Sequence, residues 1–291
     1  MLEWMNDKLD SLRRLLESYG SCLVAYSGGV DSVFLAVMAH KALGDRSLAV
    51  IADSPSLARE ELQEALDIAK QFGFPVKVVR TDEFQNPDYL QNAPDRCYFC
   101  KSALFEQLKP LAGELGFSVI AYGENVDDLG DIRPGAVAAR ESNVRSPLRE
   151  AGLTKAEIRD ASRSLGLPTS DKPQMACLSS RIPHGDPVTL EKLRAVELSE
   201  SFLNRNGFSG ARVRCHELRH GLLARIEVQP DDWAALGDVD HCRKIEAGLR
   251  DFGFSLVTLD LGGYKRGGRA PERPASESSR QNPSGRVTQS K

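Results

Sequence analysis

The first half of the chain alternates short apolar runs with longer stretches whose apolar residues recur every three or four positions. "SCLVAYS" (residues 21–27) predicts a buried strand, followed by a glycine turn and a helix from Ser32 to Leu43. "SLAVIAD" (47–53) predicts a second strand, and Arg59 to Phe72 a helix closed by Gly73. A third strand is expected at "PVKVVRT" (75–81) and a fourth at "SVIAYGEN" (118–125). Between them lies a helix from Cys97 to Gly116, interrupted at Pro110. Short apolar strands separated by helices pair in parallel with helices on both faces, so the expected fold class is α/β, doubly wound. Ligands of such sheets bind at the carboxyl ends of the strands. The polar stretches "SGGVDS", "ADSPS" and "GENVDD" follow three of these strands and are expected to face one cleft.

The pattern then changes. A helix from Lys155 to Leu165 opens with a capping box at Thr154 and Glu157. The stretch "GLPTSDKPQMACLSSRIPHGDPV" is rich in Pro, Ser and Gly and predicts a long functional loop at a domain junction. A helix from Leu190 to Asn206, strands at "ARVRCHE" and "LLARIEV", a helix from Asp240 to Phe252 and the strand "SLVTLDL" predict a small α+β domain. From Gly267 onward the chain has almost no apolar residue and predicts a disordered tail. The expected organisation is a nucleotide-type domain over 1–170, a junction loop over 171–186, a small substrate domain over 187–263 and a tail over 264–291.

Composition narrows the partners. The 291 residues carry 38 basic and 41 acidic side chains, a net charge of −3. That near-balance argues against nucleic acid as the main partner. No run approaches the ~20 apolar residues that span a bilayer. The N-terminal stretch is amphipathic, with Leu9, Leu12, Leu15 and Leu16 on one side, and lacks the apolar core of a signal peptide. A cytoplasmic location is expected, where six cysteines are thiols or ligands rather than disulfides.

"AYSGGVDS" (Ala25–Ser32) carries the strongest chemical signal. Two glycines let the backbone approach an anion, and the following helix offers free N–H groups and the positive end of its dipole. It is neither a Walker loop nor a dinucleotide fingerprint. It resembles the PP-loop of the ATP pyrophosphatases, which cut ATP between the α and β phosphates to form an adenylate. The nucleotide-binding positions expected at the three strand ends are Ala25, Ser27, Gly28, Gly29, Asp31, Ser32, Ser54, Arg59, Gly123 and Asn125. Asp31 and Asp128 are candidate Mg²⁺ ligands, with Asp127 and Asp128 alternatively capping a turn, and Arg133 pairs with phosphate or with Asp131.

"YGENVDDLGDIRPGAVAARE" (Tyr122–Glu141), "DKPQMACLSSRIPHG" (Asp171–Gly185) and "RVRCHE…LLARIEV" (Arg212–Val228) together resemble the LarE family. The resemblance runs from about Leu9 to Gly263. It implies an ATP-dependent sulfur transferase acting on pyridinium-3,5-biscarboxylic acid mononucleotide, a precursor of a nickel-pincer cofactor. Each carboxylate is adenylated and then becomes a thiocarboxylate. The resemblance places the sulfur-carrying position at Cys177, functional acids at Glu200 and Asp231, and the substrate phosphate on Arg212 and Arg214. The two arginines alternate along one strand and so share a face.

"RCYFCK" adds Cys97 and Cys100. Four-ligand zinc lacks a second pair of ligands nearby. A redox disulfide or plain packing remains open. LarE-like proteins with an extra CxxC imply a third choice: Cys97, Cys100 and Cys177 holding a 4Fe–4S cluster, with the fourth iron left to carry sulfide from a donor. This is favoured over a Cys177 that sacrifices its own sulfur. Cys22 is expected to be buried in the first strand, and Cys215 and Cys242 to be ordinary thiols. A homo-oligomer is expected. The competing functions are a PP-loop tRNA thiolase, an amidating synthetase and a nucleotide-binding regulator without catalysis.

Overall fold

A computed structural model describes residues 2–130, 134–173 and 176–264. The expectations at Asp131 and Arg133 and for the tail beyond residue 264 lie outside the described residues.

Four strands, β1 (Cys22–Tyr26), β2 (Ser47–Asp53), β3 (Val76–Arg80) and β4 (Val119–Tyr122), form one parallel sheet in the order β3-β2-β1-β4. β1 is central, and all five of its residues are buried. Its alternation divides the core. Cys22, Val24 and Tyr26 face one apolar layer, whereas Leu23 and Ala25 face another. The first layer is closed by α1 (Leu2–Ser18), α2 (Val30–Leu43), α3 (Arg59–Phe72) and, further along the chain, α8 (Lys155–Ser164). Leu12 and Leu16 of α1 are fully buried there, as the leucine spacing requires. Short α4 (Pro87–Leu90) precedes α5 (Arg96–Leu115), and the second layer is closed by α5 and α6 (Pro134–Glu141). The doubly wound α/β class is thus realised. α7 (Pro147–Glu150) leads back to α8.

The Pro110 interruption is not observed: α5 runs through it. Leu104, Phe105, Leu108, Leu111 and Ala112 bury on both sides of the proline. Their continuous helical period packs on the sheet and outweighs one missing backbone hydrogen bond.

Beyond the junction, α9 (Leu190–Arg205) and α10 (Val239–Asp251) flank a three-stranded sheet of β5 (Arg212–Leu218), β6 (Gly221–Glu227) and β7 (Phe254–Leu259). β5 and β6 pair antiparallel, β6 and β7 parallel. Val213, Cys215, Ala224 and Ile226 point into this core. Tyr89, Leu178 and Ile182 are buried in the same cluster, with Phe99 and Cys100 packed against it. Phe99 and Cys100 thus pack with the small sheet, while Tyr98 beside them packs against the second layer of the parallel one. Among the described residues no helix is long and apolar enough to cross a membrane.

Candidate active site

The carboxyl ends of β1, β2 and β4 lie side by side, with β1 between the other two. The chain winds from β1 outward through β2 to β3, then crosses to β4 on the opposite side, so the switch point lies between β1 and β4. The turn after β1 holds Gly28 at φ +71° and ends at Gly29, the N-cap of α2. A Cβ on Gly28 would stand 2.9 Å from the Ala65 Cβ, so α3 itself demands glycine there. Ser32 Oγ accepts from Ser27 N (3.1 Å), which fixes the turn. A Cβ on Gly123 would come within 3.0 Å of Asp31 and the Ser32 amide, so the end of β4 packs directly on the first turn of α2.

Asp31 sits in that turn. Lys155 Nζ donates to its Oδ2 at 2.6 Å, and Oδ1 is buried without a hydrogen-bond partner among the described residues. Burial pushes the Asp31 carboxyl above its ordinary pKa; Lys155 opposes this and nearby Asp128 adds to it. An unsatisfied carboxylate oxygen beside a second carboxylate fits a divalent cation. Asn125 N donates to Asp128 Oδ2 (3.1 Å) and Asn125 Oδ1 accepts from Asp127 N (2.9 Å), so both aspartates also order the turn after β4. Ser54 is committed through its side chain: Oγ donates to the buried Glu83 carboxylate and accepts from Ser56 N (3.0 Å). Arg59 ties Asp53 to the carbonyls of Ser54 (2.8 Å) and Leu57 (2.7 Å). Both residues shape the loop after β2.

Cys177 is exposed at the start of a 3₁₀ turn, Leu178–Arg181. Leu178 N donates to Ser56 O (2.9 Å), and the Ser179 hydroxyl shares hydrogen bonds with those of Ser56 (2.7 Å) and Tyr89 (2.8 Å). Arg96, the residue before Cys97, is buried and donates to Ser179 O (2.8 Å). These bonds draw α5 against the 3₁₀ turn. Burial pushes the half-buried Cys100 thiol up to about 12, with Cys177, Glu83 and Cys97 pushing the same way and Lys101 opposing. The three cysteines, 80 positions apart in sequence at their extremes, are thus electrostatic neighbours. Among the described residues no group of three His, Cys, Asp or Glu side chains is arranged to hold a single metal ion.

Arg181 is almost fully buried and knits the turn. Its Nη1 donates to the carbonyls of Ala176 (2.6 Å) and Cys177 (3.2 Å), while Nε and Nη2 grip Glu200 at 2.9 and 3.0 Å. Glu200 also accepts from Val213 N (3.0 Å), which makes it an anchor of β5. Arg212, Arg214 and His216 share the outer face of β5. Arg214 grips Glu227 (3.0 and 2.8 Å) and donates to Ser180 O (3.0 Å). Arg212 lies 4.0 Å from Glu200 and stacks over the Tyr264 ring. Burial lowers the Arg212 pKa; Glu200 and Tyr264 oppose this, and Arg181 and Arg214 add to it. Burial, Arg225 and Arg214 likewise lower that of His216. Asp231 is exposed at the start of another 3₁₀ turn, Pro230–Gly237.

The NAD synthase family profile matches residues 4–92, from α1 to the end of α4. A Synechocystis sp. protein whose function is uncharacterised is 43% identical over 263 residues, 90% of this chain and 97% of its own. The pyridinium-3,5-bisthiocarboxylic acid mononucleotide synthase of Lactiplantibacillus plantarum is 34% identical over 246 residues, 84% of this chain and 87% of its own. The chain belongs to the LarE family. It is an enzyme of the ATP-dependent sulfurtransferase class. Likeness to the tRNA-specific 2-thiouridylase of Azorhizobium caulinodans is narrower: 28% over 214 residues, 59% of this chain and 54% of that protein.

Three features of this LarE-family site escape a reading of the sequence. Arg181 stands inside "MACLSSR", yet nothing local says that it holds the Cys177 carbonyl. Arg96 precedes the CxxC without marking itself as its tie to the 3₁₀ turn. Lys155 is legible as the first residue after a helix cap, but its partner lies in another helix.

Proposed function

We propose that this protein converts the carboxylates of pyridinium-3,5-biscarboxylic acid mononucleotide to thiocarboxylates through acyl adenylates. The glycine turn and the first amides of α2 hold the ATP phosphates, and Asp31 Oδ1 with Asp128 holds Mg²⁺. A substrate carboxylate oxygen attacks the α-phosphorus and pyrophosphate leaves. The acyl carbon then carries AMP, a far better leaving group than oxide. Arg212 and Arg214 bind the substrate phosphate on the outer face of β5, which they share with His216.

The observation that carries the sulfur-transfer reading is the approach of Cys177 to the CxxC helix through Arg96 and Ser179. Cys97, Cys100 and Cys177 would ligate a 4Fe–4S cluster. Thiolates on one cluster bind separate irons, so they stand further apart than ligands of a single ion. Burial pushes the Cys100 thiol up to about 12, so iron binding would have to displace its proton, as metals do at thiol ligands. When bound, the cluster supplies an iron without a protein ligand to hold hydrosulfide. A sacrificial Cys177 is the second reading, favoured by its exposure.

Product analysis tests the first step: AMP and pyrophosphate are expected, dependent on the carboxylate substrate, whereas ADP and phosphate would reject it. Iron and acid-labile sulfide analysis after anaerobic purification tests the second. Four of each per chain are expected for a 4Fe–4S cluster, and none in C97A or C100A.

A further inference from the structure

The loop after β2 and the turn after Cys177 meet over three hydroxyls. Ser56 lies in that loop, Tyr89 in α4 and Ser179 in that turn, and all three residues are buried. Each hydroxyl is bonded to both of the others: Ser56 to Ser179 (2.7 Å), Tyr89 to Ser179 (2.8 Å) and Ser56 to Tyr89. Three oxygens and three protons close a ring in which every group donates once and accepts once. On the β2 side the ring continues through Ser56 N, which donates to Ser54 Oγ (3.0 Å). On the cysteine side Leu178 N donates to Ser56 O (2.9 Å). α4 and the residues after it are fastened to the junction: Val188 N donates to Leu90 O (2.9 Å), and Asn92 Nδ2 to the carbonyls of Pro183 (2.8 Å) and Asp186 (3.0 Å). Burial pushes the Tyr89 phenol above its ordinary pKa; its bonds to Ser179 and Ser56 oppose this, and Cys100 and Cys177 add to it. The phenol therefore keeps its proton for the ring and stands beside both thiols.

Parting the loop from the turn would leave buried hydroxyls without partners, which costs more than a satisfied hydrogen bond contributes. We infer that Tyr89 is a positioning residue of sulfur transfer: its hydroxyl clamps the Cys177 turn to the loop after β2, so that a nucleotide at the strand ends steadies the turn that presents Cys177. This rests on the adenylating function proposed above, which puts the acyl adenylate at those strand ends. An adenylate is also open to water, which returns the carboxylate and AMP. A turn held by the occupied loop keeps Cys177 in place when the acyl carbon is activated. A loosened turn leaves adenylation intact and lets water compete. The clamp is the hydroxyl and not the aromatic ring, which packs on Phe84 in the apolar cluster.

The test compares full-length wild type with Y89F and S179A, purified alike. Hydrogen–deuterium exchange follows the Leu178 amide with and without an ATP analogue that carries a methylene bridge between the α and β phosphates. Calorimetry gives the affinity for the same analogue, and product analysis gives thiocarboxylate formed per pyrophosphate released. In wild type the analogue should slow exchange at Leu178 by about five-fold or more. In Y89F it should change exchange by less than about two-fold, with analogue affinity within about three-fold of wild type. Thiocarboxylate per pyrophosphate should fall by roughly five-fold in Y89F. S179A removes another member of the ring and should behave in the same way, so it carries the comparison if Y89F does not fold. A tyrosine that only fills the core would leave the Leu178 response and the product ratio of Y89F at the wild-type values, and that result overturns the positioning role. A wild type that binds the analogue with no change at Leu178 overturns it too. Release of ADP by the wild type would instead overturn the adenylating function itself.

Discussion

At the carboxyl end of the parallel sheet, the amides and the aspartate of the proposed phosphate site come from a single turn of eight residues (Ala25–Ser32), with Asp128 and Lys155 brought to Asp31 from further along the chain. Around Cys177 the working groups are side chains, and buried ion pairs fix them: Arg181 on Glu200, Arg214 on Glu227. The turn of the first region is specified by contiguous sequence. The second is assembled from β5, α9, α5 and the loop after β2, and each partner lies far away in the chain. A local site is damaged mainly in its chemistry by a point change. A site held by long-range pairs is damaged in its chemistry and its stability together.

The sharpest way to break this contrast is to remove one function from each region. C177A should abolish sulfur transfer while pyrophosphate release on the carboxylate substrate persists. D31A should lower adenylation by about 10² or more, and thiocarboxylate formation with it, while iron content stays unchanged. Loss of pyrophosphate release in C177A, or loss of iron in D31A, would mean that the regions are one unit.

The next effect is on stability. Arg181 and Glu200 are both shielded, so R181M strands the carboxylate and should cost about 3–5 kcal/mol in urea unfolding, against little for an exposed pair. Adding E200Q to R181M should restore part of it. A smaller loss is expected from R212A, about 1.5–3 kcal/mol of charged hydrogen bonding. It should appear as a ten- to hundred-fold higher requirement for the mononucleotide, by order of magnitude, with the ATP requirement unmoved. Equal loss for ATP would put Arg212 in the nucleotide site.

The smallest effects lie at the α8 cap. T154A should cost ~1 kcal/mol. Burial opposes ionisation of Glu157, but hydrogen bonds from Thr154 and Lys8 outweigh it and hold the carboxyl below its ordinary pKa. A depressed pKa stabilises the folded state in full above the unfolded value of ~4.3 and is lost as the pH falls through the folded one. The deficit of E157Q should therefore be largest at neutral pH and shrink below about pH 4.

The legibility of the sequence follows the same division. β2 and α3 appear within the residues that their patterns outline, and the capping box forms as written, because each is a local matter. Pro110 misleads because packing on the sheet overrides its local preference. The short helices α4, α6 and α7 have no period long enough to read. Arg212 and Arg214 do share the outer face that alternation requires. Glu200 is expected to be a functional acid, and its observed bonds to Arg181 and the Val213 amide are invisible in a linear reading, since they join α9, the junction turn and β5. The same holds for Cys177 and CxxC: each motif is plain, and only the tie from Arg96 to Ser179 joins them.

The central claim is that Cys177 ligates the cluster and does not give up its own sulfur. Mass analysis of the peptide containing Cys177, after several turnovers of iron-loaded enzyme with sulfide, tests it most directly. The account predicts more than one thiocarboxylate per chain and a Cys177 of unchanged mass. A Cys177 that loses the mass of hydrogen sulfide in proportion to product would contradict it.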